Sequence, residues 1–140
     1  MSHVVHLTPK DIKEQWETLA PMFYSAMEER GTFDTYNITD LLKDFLDRKT
    51  DCWTIVEDNK TVAALATYLV HYKTMKAMKI GEFGGLEGYS ELWHKHLKQI
   101  EDYAKECGVK RFIIEGRKAW ERVFVDDGYE FRNIVLIKDL

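Results

Sequence analysis

Gly116-Arg117-Lys118-Ala119-Trp120-Glu121-Arg122-Val123-Phe124-Val125-Asp126-Asp127-Gly128, followed by Tyr129-Glu130-Phe131, is the stretch whose reading decides the fold. It reads as the end of a strand, a short amphipathic helix over residues 118–125, a glycine stop at Gly128 and a final β segment over residues 129–137. Just before it, residues 111–114 have the composition of a short buried strand. A longer helix precedes that strand. Ser90 supplies its cap, Leu92, Trp93, His96, Leu97, Ile100, Tyr103, Ala104 and Cys107 its apolar stripe, and Gly108 its end.

The N-terminal half supplies the remaining elements. Residues 4–7 suit a short first strand, and Thr8-Pro9-Lys10-Asp11 reads as a cap, a proline at the first helical position and a capping-box acid. Ile12, Trp16, Leu19, Phe23 and Met27 then recur at helical spacing up to Gly31, with Pro21 expected to kink or split the helix. Asn37 and Asp40 open a second helix carrying Ile38, Leu41, Leu42, Phe45 and Leu46 on one face. Residues 52–57 and 61–72 flank Asp58-Asn59-Lys60 as a hairpin, residues 75–83 form a weaker strand, and the glycines from Gly84 onward mark a loop over residues 84–90. Strands and helices in this order predict an α/β layout on a mixed, mostly antiparallel sheet flanked by helices, in one domain spanning residues 1–140.

Composition narrows the function classes. A formal net charge of −4 speaks against broad phosphate neutralisation, so no nucleic-acid partner is expected. No apolar run approaches the roughly 20 residues that span a bilayer, and the N-terminus lacks the pattern of a signal peptide, so no membrane partner is expected either. Cys52 and Cys107 lack metal-ligand spacing and read as reduced thiols of an intracellular protein. His94 and His96 diverge on their helix, and His3 and His6 do not converge, so no metal site is expected.

The segment from Ser90 to Phe131 resembles the GNAT superfamily of acyl-CoA-dependent N-acyltransferases, in which a similar helix ends in a Gly-Phe or Gly-Tyr pair. The order of elements is similar to that fold over nearly the whole chain. The resemblance implies two central strands, residues 75–83 and 111–115, that splay apart around acetyl-CoA. It also implies a glycine-rich loop whose backbone amides hold the pyrophosphate, formed here by Phe83, Gly84, Gly85, Gly88, Tyr89 and Ser90, with Arg117 at the position of a pantetheine contact. Glu82 falls where family members place a general base for the acceptor amine, and Glu115 is a second candidate. The implied reaction is acetyl transfer from acetyl-CoA to an amine.

The chain departs from that pattern at three places. The loop lacks the family's basic start and carries Glu82 and Glu87 instead. Phe124 occupies the position of the tyrosine that protonates the departing thiolate, and phenylalanine has no proton to give. Only 12 residues follow Gly128, where the family usually finishes with two long antiparallel strands. These departures predict weak or degenerate catalysis, and they resemble phage-encoded GNAT-like proteins. The alternative expectation is therefore a non-catalytic domain with a protein partner, in a host cytoplasm or a virion. The tryptophans and Phe112, Phe124 and Phe131 are expected in the core, and the basic residues Lys110, Arg111, Arg117, Lys118 and Arg122 on a solvated face or against the adenosine phosphate of coenzyme A.

Overall fold

The computed structural model of the protein describes residues 1–89, 92–116, 122 and 124–140. Strand β1 (Ser2–Leu7) leads into helix α1 (Pro9–Arg30), a 3-10 turn (Thr32–Asp34) and helix α2 (Ile38–Leu46). Strands β2 (Asp51–Glu57), β3 (Lys60–His71) and β4 (Lys76–Gly85) follow, then helix α3 (Leu92–Glu106) and strand β5 (Arg111–Ile114). The sheet order is β1-β2-β3-β4-β5, antiparallel throughout except for the parallel β4–β5 pair.

Local chemistry explains the boundaries. Thr8 Oγ1 accepts from the Asp11 N–H and the Asp11 carboxylate accepts from the Thr8 N–H, both at 3.2 Å, a closed capping box that starts α1. Asn37 and Asp40 repeat the arrangement at α2, at 2.9 and 3.0 Å. Gly31, with φ +67°, ends α1 in the left-handed region. Asp58 and Asn59 adopt φ +50° and +65°, so the β2–β3 turn has the handedness that matches strand twist.

Helices α1 and α2 cover one face of the sheet. Ile12, Leu19, Phe23, Met27, Leu41 and Phe45 pack there on Cys52, Ala64 and Ala66. Helix α3 covers the other face, where Trp93, Leu97 and Ile100 meet Trp53, Met78 and Ile80. Each layer buries a stripe read from the 3.6-residue period against residues read from the period of two.

Three expectations need correction. Pro21 does not split α1, which runs unbroken from Pro9 to Arg30. The proline is exposed, and its missing N–H removes one helical bond while packing on the sheet holds the rest. Strand β4 extends through Gly84 and Gly85, which are strand and not loop residues. Residues 129–137 form no strand: Phe131, Ile134, Val135, Leu136 and Ile137 are 61–87% exposed. Strand propensity expresses fit to a half-buried pleated surface, and no such surface meets these side chains. The expected helix over residues 118–125 lies mostly outside the described residues.

Gly84 fixes how closely α1 approaches the sheet. A Cβ on it would stand 2.6 Å from the Met22 carbonyl oxygen and 3.4 Å from the Ala26 Cβ. Gly84→Ala must push helix backbone away from β4. The expected loss is about 1–3 kcal/mol of unfolding free energy, as for overpacking elsewhere, read from urea denaturation. An unchanged midpoint would show that α1 yields freely.

Candidate functional site

The site lies where the sheet opens. The β4–β5 ladder runs from Ala77↔Arg111 to Ile80↔Ile114 and stops there, while β4 continues to Gly85. Glu115 and Gly116 leave the sheet, so the C-terminal half of β4 has no β5 partner. Glu82 and Glu115 both lie just past the last pair.

A β-bulge aims Glu82. On β3, Thr67 pairs with Ile80 and Ala66 with Glu82, which leaves Gly81 as the extra residue. The inserted residue changes the parity of β4. Lys79 pairs with Tyr68 and Glu82 with Ala66, and Tyr68 and Ala66 share a face of β3. Lys79 and Glu82 therefore project to the α1–α2 side although they are three residues apart. Gly81 fits under Tyr68, whose ring would lie 3.1 Å from an added Cβ.

Each carboxylate has its own cation. The Glu82 side chain is 7% exposed, and Arg30 Nη1 stands 3.1 Å from its Oε2. That separation alone would suggest a hydrogen bond, yet Oε2 has no aligned donor among the described residues, and Nη1 donates to the Gly81 carbonyl. The contact is better described as ionic than as a directed bond. Burial raises the Glu82 pKa above its ordinary value, and the charge and donor groups of Arg30 pull it back in part. Glu115 is half exposed and pairs with Lys79 Nζ at 2.5 Å.

Tyr36 stands within electrostatic reach of Glu82. Its hydroxyl donates to Asp44 at 2.5 Å, and burial, that bond and the charges of Asp44, Asp40 and Glu82 all raise its pKa. No motif or spacing marks Arg30, Lys79, Tyr36 or Tyr68 as part of a site. Arg30 at a helix C-terminus reads as complementing the helix dipole, and its contacts lie 51 and 52 residues away in sequence.

The glycine-rich segment divides into a packed and an open part. Cβ atoms on Gly84 and Gly85 would meet the Met22 and Val62 carbonyl oxygens at 2.6 and 2.9 Å, so packing accounts for both glycines. Phe83 and Tyr89 pack against the α3-side core. Gly88 turns the loop at φ +85°, with no atom within 4 Å of an added Cβ. The Leu86 and Tyr89 N–H groups are bonded to Val62 and Leu86. Ser90 and Arg117 lie outside the described residues.

Phe124 is buried beside α3, its ring 6.2 Å from His94 and 5.7 Å from Tyr129. Tyr129 supplies a hydroxyl in this cluster and donates it to the Glu101 carboxylate, with a pKa raised by burial and then by that bond. A groove of about 780 Å³ runs between α1 and the β1–β3 strands, lined by Val5, Thr18, Pro21, Met22, Val56 and Leu86 among others. Glu82 and Glu115 do not line it. Among the described residues no group of three or more His, Cys, Asp or Glu side chains is placed to hold a metal, and no helix is long and apolar enough to cross a membrane.

No protein-family model matches the chain, and no curated protein matches its sequence. Solved structures do match its fold. A probable acetyltransferase superposes with a TM-score of 0.74 at 17% identity, covering 99% of each chain. An aminoglycoside acetyltransferase from an uncultured soil metagenomic sample, in complex with sisomicin, gives 0.71 at 12% identity, covering 99% of this chain and 96% of its own. A predicted acetyltransferase with acetyl-CoA from Clostridium acetobutylicum gives 0.68 at 14%, with coverage of 99% and 96%. The architecture is therefore the GNAT-like α/β fold of these acetyltransferases.

The raised pKa of Glu82 has a consequence for stability. A carboxyl whose folded pKa lies above its ordinary value, here 4.5, lends stability that is complete below that value and lost as pH rises through the folded one. Glu82→Gln cannot ionise and escapes this loss. Its stability relative to wild type should improve as pH is raised from 4 into that window, measured by chemical denaturation at each pH. A constant difference would mean that Arg30 fully offsets the burial of Glu82.

Proposed function

We propose that the protein is a GNAT-type, acyl-CoA-dependent N-acyltransferase that moves an acetyl group from acetyl-CoA to an amine. The observation that carries this reading is Glu82: a buried carboxylate, turned by a bulge to the α1–α2 face just past the end of the β4–β5 ladder, with Oε2 lacking an aligned donor. An acceptor amine supplies the missing donor. In the reaction the amine nitrogen bonds to the acetyl carbon, the carbon–sulfur bond breaks and Glu82 takes the amine proton, directly or through water. Burial strengthens Glu82 as a base, while Arg30 weakens it. Glu115, held by Lys79, is the secondary candidate. The loop over residues 86–89 that follows β4, with Ser90 and Arg117 beyond, would receive the pyrophosphate and pantetheine.

Phe124 has no proton to give the departing thiolate, and the Tyr129 proton is committed to Glu101. Water must protonate the thiolate, so turnover should be slow. The burial of Phe124 favours a second reading, a non-catalytic GNAT-fold domain that binds a protein partner, in a cytoplasm or a phage particle.

Calorimetry with acetyl-CoA at up to millimolar concentration separates the two readings: a saturable response supports the enzyme, and its absence supports the binding domain. Where transfer to an amine is measurable, Glu82→Gln should slow it about 10²–10⁴-fold at neutral pH, the usual contribution of a general base. An unchanged rate removes Glu82 from the chemistry.

A further inference from the structure

Arg30 and Gly81 meet across the α1–β4 boundary in a way that neither element requires for its own folding. Arg30 is the last residue of α1, followed by the left-handed Gly31. Its guanidinium Nη1 donates to the Gly81 carbonyl, the acceptor of the bulged residue, and stands 3.1 Å from Glu82 Oε2. One cation thus touches both the residue that creates the bulge and the side chain that the bulge aims. Both contacts are made by one nitrogen, Nη1.

We infer that Arg30 is a positioning residue for Glu82, clamping the bulge carbonyl and holding the carboxylate beside it turned toward the open end of the ladder. The inference rests on the reading of Glu82 as the base, and its test can be scored separately. Arg30 does not touch the reacting atoms in this scheme; it acts through Glu82. Nη1 donates one N–H to backbone and meets Oε2 without the alignment of a directed bond, so the ion pair supplies charge while leaving a carboxylate lone pair for an amine or a water.

The other charged and titratable groups on this side are accounted for. Tyr36 senses the Glu82 charge from the segment before α2, with Asp44 and Asp40 behind it. Tyr68 of β3 contacts the Lys79 side of the face, and Lys79 is engaged by Glu115. Among the described residues, Arg30 is the cation recorded in contact with Glu82. Its removal therefore leaves a buried carboxylate without that cation, and protonation relieves that state.

The test is a carbon-13 NMR titration of the Glu82 carboxyl in the protein alone, without acetyl-CoA. Wild type is compared with Arg30→Met, Arg30→Gln and Arg30→Lys. The Met and Gln variants should move the midpoint upward, and Lys, which keeps the charge, should restore most of it. Amide spectra of the same samples show whether each variant folds, and two neutral replacements guard against the loss of one. Where transfer is measurable, the acid limb of kcat/KM should move with the titration, and Lys should recover the limb without recovering the full rate. An unmoved midpoint in a folded neutral variant overturns the inference, as does a Lys variant indistinguishable from Met. Failure to bind acetyl-CoA would sink the proposed function and leave this titration result standing.

Discussion

The close approach of α1 to β4 at Gly84 is the constraint from which the site follows. Helix backbone and strand backbone meet there with no room for a side chain, since even a methyl group would lie 2.6 Å from the Met22 carbonyl oxygen. This is a contact of the kind that only glycine allows. It sets the depth of α1 over the sheet two helical turns before Arg30. A helix lifted by a side chain at residue 84 would carry its last turn away from Gly81 and Glu82. The glycines that resemble a phosphate loop in sequence therefore have a packing role first, and only Gly88 turns in open space.

The bulge does a second job that regular pairing cannot. In an uninterrupted strand, Lys79 and Glu82 would face opposite layers. Glu82 would then enter the α3-side core among Met78, Ile80 and Trp93, where an ionised carboxylate is costly. With Gly81 inserted, Glu82 turns to the layer that holds Arg30, and Phe83 takes the α3-side position. One added residue converts a prohibitive burial into a paired one. It also places the acid beside the point at which β5 departs.

Much of the fold was legible because its signals are local. The capping boxes at Thr8 and Asn37, the Asp58-Asn59 turn and the stripe of α3 each lie within a few residues, and each is realised. Glu82 was singled out by a resemblance rather than by any pattern of its own. The partnership with Arg30 was invisible because it joins residues from two elements whose relative depth is decided by Gly84. Glu115 shows the same limit: it pairs with Lys79 of β4, 36 residues away in sequence. Residues 129–137 show the converse error. Their composition is that of a strand, but a strand needs an edge and a packed face, and composition cannot guarantee either.

Phe124 and Tyr129 show what packing beside α3 asks of aromatic side chains. Phe124 fills the α3-side core, in contact distance of the aromatic cluster formed with Tyr129 and His94. A hydroxyl at that buried position would need a partner, whereas phenylalanine needs none. The nearby hydroxyl belongs to Tyr129, and it is turned to Glu101 of α3, so it ties the segment after Gly128 to that helix. Aromatic packing has thus been kept where a proton donor is absent, and the available hydroxyl serves a structural bond. Packing alone can maintain such an arrangement, because core burial depends on ring area and not on the oxygen. For the proposed acetyl transfer, the acid side is therefore where this chain would fall short, while the base side would rest on Glu82 with Arg30 beside it.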